Sequence, residues 1–113
     1  RYDFMRFGIV PLPASPRQSD LMVDVSGRVV RLLKDDPESA QQRFVINLLN
    51  GQNLLIVHDL GSADRVPVSR DDEVRVRGEY EWTETGGMVH WTHHDMGTNR
   101  RHGWIDHQGK RYQ

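Results

Sequence analysis

Five of the six histidines fall between positions 90 and 107, in His90-Trp-Thr-His-His-Asp95 and Arg101-His-Gly-Trp-Ile-Asp-His107. An imidazole changes charge near neutral pH. It can bind a borderline divalent ion such as zinc, or take and give a proton in acid–base work. On an extended chain His90, Thr92 and His94 share one face, and Val89, Trp91 and His93 share the other. The preceding segment offers Glu79 and Glu81 to the first of these faces. His58, at the end of an earlier apolar run, can join His93 or His94 across the mouth of a small barrel. The spacing His90-x-x-x-His94 lacks the Glu of the helical His-Glu-x-x-His metal motif. No catalytic residue, metal ligand or cofactor is therefore assigned. The candidate ligand-contacting set is His58, Glu81, His90, Thr92, His93, His94, Asp95, Arg101 and His102.

The elements that must position these side chains are strands. Gly27 to Lys34 is rich in β-branched and aliphatic residues and stops at Asp35-Asp36-Pro37. Two apolar runs, Gln42 to Leu49 and Asn53 to His58, flank Asn50-Gly51, which predicts a hairpin through a type I′ turn. Residues 59–72 are polar and hold at most one helical turn. Then Val74, Val76, Gly78, Tyr80 and Trp82 alternate with Glu73, Arg75, Arg77, Glu79 and Glu81, the pattern of a half-buried antiparallel strand. Residues 83–87 turn the chain, and Met88 to His94 return it. If paired residue numbers sum to an odd value such as 171, Tyr80 meets Trp91 inside and Glu81 meets His90 outside; an even sum sends His90 into the core. The odd register is expected, because it leaves the polar side chains in water.

Five strands with a long third connection predict an all-β, five-stranded OB-fold-like Greek-key barrel, with an SH3-like small barrel as the alternative. The chain has 113 residues, enough for one domain with a core. Residues 1–23 contain Pro11, Pro13 and Pro16 and read as an arm or linker; residues 24–113 read as the barrel. The apolar start of the arm, within residues 1–10, offers a docking segment for a partner or a second copy. Trp82 and Trp91 are expected in the core, and Trp104 is expected to plug a barrel end.

The absence of cysteine removes disulfides and thiolate sites, and no apolar run approaches the length that spans a bilayer. A net charge of -1 excludes a globally basic nucleic-acid binder. Charge is uneven, however. Residues 59–96 carry a balance of -5 and residues 97–113 a balance of +3. The tail can therefore neutralise the acidic middle or form a small anion-binding patch.

Gly78-Glu-Tyr-Glu-Trp82, Gly86-Gly-Met-Val-His-Trp-Thr-His-His-Asp95 and Gly103-Trp-Ile-Asp-His-Gln-Gly-Lys-Arg-Tyr-Gln113 together resemble an uncharacterised bacterial family of small proteins, a domain of unknown function. The likeness covers residues 26–113. It departs at Gln41, where the family has a His, and at His58-Asp59-Leu60-Gly61, where the family reads His-Asn-Ile-Asp. The resemblance implies a small β-barrel, exported in many members, with no established activity.

The leading expectation is a non-enzymatic binding module for a small, sugar, peptide or oligonucleotide ligand. Its groove would cross strands two and three and carry Arg28, Arg31 and Arg43, joined by Arg100 and Arg101. Few exposed aromatic residues are available for base stacking, so nucleic acid is a minor expectation. The alternatives are a metal-dependent hydrolase using His90, His94 and Glu81 with His58, and an adaptor acting through the arm.

Overall fold

Residues 21–94 and 102–113 are described in the computed structural model. They form seven strands: β1 (Leu21–Leu32), β2 (Gln41–Asn47), β3 (Asn53–Asp59), β4 (Glu73–Glu81), β5 (Met88–His90), β6 (Trp104–His107) and β7 (Lys110–Tyr112). One sheet runs β1-β2-β3-β5-β4-β6-β7, and β1 also pairs with β4. That second pairing closes β1 to β5 into a barrel. The closing contact between β3 and β5 is parallel, Leu55 beside Met88 and Ile56 beside Val89, while the other pairs are antiparallel. This is the strand order expected of an OB-fold-like barrel.

Alternation along each strand builds the interior. Val23, Val25 and Val29 of β1 meet Phe44, Ile46, Leu54, Ile56, Val76, Val89 and Ile105 in one buried cluster. The long connection, residues 60–72, contains no helix. Gln42 pins it from beneath: its Nε2 donates to the Val66 carbonyl at 2.7 Å, and its Oε1 accepts from the Val66 amide at 2.9 Å. Val66 then joins the core fully buried. Among the described residues no helix is long and apolar enough to cross a membrane.

Several local expectations are corrected. β1 begins at Leu21, reaching three residues into the segment assigned to the arm, because Leu21, Met22 and Val23 pair with Tyr80, Glu79 and Gly78. The β2–β3 hairpin is not a two-residue type I′ turn. Leu48 N donates to the Gln52 carbonyl, so the loop is Leu49, Asn50 and Gly51, and of these only Gly51 has positive φ. A three-residue loop needs the left-handed conformation once, which glycine supplies.

The last barrel hairpin keeps the odd parity, but the partner sum is 169: Glu79 meets His90 and Tyr80 meets Val89, not Trp91. The strand also ends at His90. Trp91 has φ of 57°, which breaks the alternation, and the next residue, Thr92, turns inward and is fully buried.

Two strands were not anticipated. β6 and β7 form a hairpin through Gln108 and Gly109, both with positive φ, and β6 pairs along the first half of β4. Trp104 consequently does not plug a barrel end. It lies on the outer face beside Asp106, with the Arg111 guanidinium 3.9 Å and that of Arg75 5.1 Å from its ring centre. Trp82 is only partly buried against the core, and Trp91 stacks on His93.

Candidate functional site

The outer face of β4 and β5 brings together Glu79, Glu81 and His90. Residues two apart on a strand share a face, and the register sets His90 directly across from Glu79. His90 Nε2 lies 3.2 Å from Glu79 Oε1 and 3.3 Å from Glu81 Oε2. Glu79 has a side chain only 8% exposed, whereas those of Glu81 and His90 are 29% and 32% exposed. The site thus has a covered floor and an open side. Glu81 and His90 were expected here; Glu79 was placed on this face but not among the candidates.

His58 lies on the opposite, inner face of β3 and is fully buried. Its Nε2 is 2.8 Å from the Asp64 carbonyl and its Nδ1 is 2.7 Å from Thr92 Oγ1. A carbonyl can only accept, so Nε2 carries the proton, and Nδ1 accepts from the Thr92 hydroxyl. Burial pushes the pKa of His58 below its ordinary value, outweighing the support from the Asp64 carbonyl. His58 is therefore a neutral ring inside the barrel wall and does not join the outer cluster.

The remaining described candidates do not join His90 but make contacts of their own, and His93 lies close enough to His58 to act on its charge. His93 stacks on Trp91, with ring centres 5.2 Å apart, and His94 stacks on His102 at 4.2 Å. Gly103 makes this arrangement possible. Its amide donates to the His93 carbonyl, and a Cβ there would sit 2.0 Å from the Trp91 carbonyl oxygen. Asp95 and Arg101 lie outside the described residues, as does the arm before Leu21.

A second feature escaped the list of candidates. A cavity of about 420 Å³ opens on the outer face, floored by Val45 of β2 and Leu55 of β3. Val30, Arg31 and Leu33 wall it from the end of β1, and Thr85 and Gly87 from the β4–β5 loop. Register partners continue this surface across the sheet: Arg31 beside Val45, Val45 beside Leu55, Leu55 beside Met88, and Met88 beside Glu81. The row spans about 19 Å at four strand spacings, from a guanidinium to the carboxylate cluster. Its signal was present in the sequence, since Phe44-Val45-Ile46 and Leu54-Leu55-Ile56 are apolar on both faces. Of the arginines assigned to such a groove, Arg31 lines it. Arg28 pairs instead with Asp71 at 2.8 Å, and Arg43 donates to the Lys34 carbonyl.

The strand order, the parallel closure and a groove between the β1 and β4–β5 loops define a small closed β-barrel of the OB-fold-like class. Residues 12–113 match the family described as protein of unknown function DUF3465, and the chain belongs to that family. The match starts earlier than the resemblance, within the proline-containing segment. No curated protein matches the chain.

Proposed function

We propose that the chain is a binding module that holds an extended peptide segment, apolar with an acidic residue at one end, across the outer face of β2 and β3. The observation that carries this reading is the cavity floored by Val45 and Leu55 with Arg31 at its wall. Its volume is in the usual range for ligand sites, and its lining mixes aliphatic side chains with Arg31, Asn53 and Thr85. Arg31 is exposed, and among the described residues no carboxylate pairs with it, which leaves a cation for an acidic group. None of the described lining residues is aromatic, so the stacking that dominates binding of single-stranded nucleic acid has no platform in this groove.

A fluorescein-labelled hexapeptide of aliphatic residues with a single aspartate at one end tests the reading by polarisation. Saturable binding that is lost in Val45→Glu and weakened in Arg31→Glu is the expected result. Binding untouched by both substitutions, or preference for an oligothymidylate over the peptide, overturns it.

A further inference from the structure

We propose that Glu79, Glu81 and His90 form a site for a divalent first-row transition ion of the zinc type, with three protein donors and one coordination position open to solvent. The inference is independent of the peptide groove, because it rests on donor identity and spacing at the other end of the sheet row.

The donor set is an imidazole and two carboxylates, a mixture suited to borderline ions and not to calcium or magnesium, which take oxygen ligands. Spacing of the same donors is the second observation. A tetrahedral ion with bonds of about 2.1 Å sets its ligand atoms about 3.4 Å apart. Here the imidazole nitrogen lies 3.2 and 3.3 Å from the two carboxylate oxygens, and the three donor atoms all fall within 4.8 Å of one another. One Nε2–H cannot point at two oxygens at once. Both separations also exceed the 2.7–2.9 Å typical of a charge-assisted N–H···O bond. An ion between the three atoms, which lie within 4.8 Å of one another, would be reached by all three once the carboxylates draw in toward it.

Electrostatics favours occupancy. The Glu79 carboxylate is almost wholly removed from water, and Glu81 faces it two residues along the same strand. A divalent charge placed between two neighbouring carboxylates is attracted by both. The frame is rigid, because Glu79 and Glu81 sit in a strand paired on both edges and His90 ends the strand beside it. The partial exposure of Glu81 and His90 leaves the path by which an ion enters and the position at which a further ligand binds.

Titration of the full chain with zinc chloride at pH 7.5, followed by calorimetry and by histidine side-chain NMR, tests the proposal. One equivalent should bind, and the Nε2 resonance of His90 should shift. His90→Asn and Glu81→Gln should each weaken binding at least about tenfold, and His94→Ala should not. The proposal is overturned if no saturable binding occurs, if binding survives His90→Asn, or if it is lost in His94→Ala. If His90→Asn does not fold, the unsubstituted chain still decides: shifts at His93, His94 or His102 in place of His90 overturn the site.

Discussion

His58 and Thr92 are joined across the barrel wall by a hydrogen bond of 2.7 Å in which the hydroxyl donates to the bare ring nitrogen. The two residues are distant in sequence, on β3 and just after β5, so the bond ties the parallel closure of the barrel together. Thr92→Val keeps the volume but leaves a buried ring nitrogen without its donor. A loss of about 1–3 kcal/mol in denaturant unfolding is expected. An unchanged midpoint would mean that water or the backbone replaces the hydroxyl.

Acidification should weaken the fold in two stages. Burial lowers the pKa of His58 in the folded chain from its ordinary 6.5. Below pH 6.5 the unfolded chain therefore binds a proton that the folded chain refuses. Stability rises with pH wherever the unfolded state holds more protons, so this contribution is complete above 6.5 and declines beneath it. At lower pH a second loss follows. The hydrogen bond to His107 and then that from the Ser69 amide hold the Asp72 carboxyl below 3.8, so its contribution disappears as the pH drops through the folded value. Melting temperatures measured across this range check the sign. His58→Gln should flatten the first stage and leave the second.

Gly78 occupies an apolar-face position of β4 where the alternation calls for a side chain. A Cβ there would stand 2.4 Å from the His90 carbonyl oxygen and 2.8 Å from a methyl of Val89. Gly78→Ala is expected to cost about 1–3 kcal/mol by overpacking and to displace β5. Because β5 carries His90, the same variant should also weaken zinc binding. A stable Gly78→Ala protein with native spectra would show that β5 is free to retreat.

The strands were legible wherever burial imposes a period of two. β4 reads directly from Val74, Val76 and Tyr80, and β2 and β3 from their apolar runs bounded by Asn50-Gly51. The early half of β1 was missed although Val23 and Val25 alternate with Asp24 and Ser26, because the preceding prolines made the whole segment look like a linker. β6 and β7 were missed because they are short and joined by Gln108-Gly109, a weaker turn signal than Asn-Gly. Alternation also misled beyond His90. A tryptophan with positive φ cannot be read from its type, and the residue after it, Thr92, turns inward against the alternation. Of the histidine cluster, only His90 meets Glu81, and the third donor, Glu79, comes from strand register rather than from any motif.

Gln42 should prove more important than a half-polar strand position suggests. Its amide satisfies both the N–H and the C=O of Val66, holding the 60–72 connection over the barrel end. Gln42→Leu leaves both backbone groups buried without that partner, and about 2–4 kcal/mol of destabilisation is expected. Hydrogen exchange at the Val66 amide should accelerate by more than exchange in β4. Equal acceleration at both places would indicate global loss of stability without a specific role for the clamp.

The groove and the fold should separate under substitution. Val45 and Leu55 are half-buried on the outer face, directly opposite one another, while their neighbours Phe44, Ile46, Leu54 and Ile56 fill the interior. Val45→Glu places a carboxylate at the surface, where water still reaches it. The change in unfolding free energy should stay below about 1 kcal/mol, in contrast with the 2–5 kcal/mol expected for Ile46→Ala in the core. Loss of peptide binding in Val45→Glu with a near-native melting temperature would place recognition on this face. A melting loss as large as that of Ile46→Ala would instead mean that Val45 packs as core, and that the groove closes in solution.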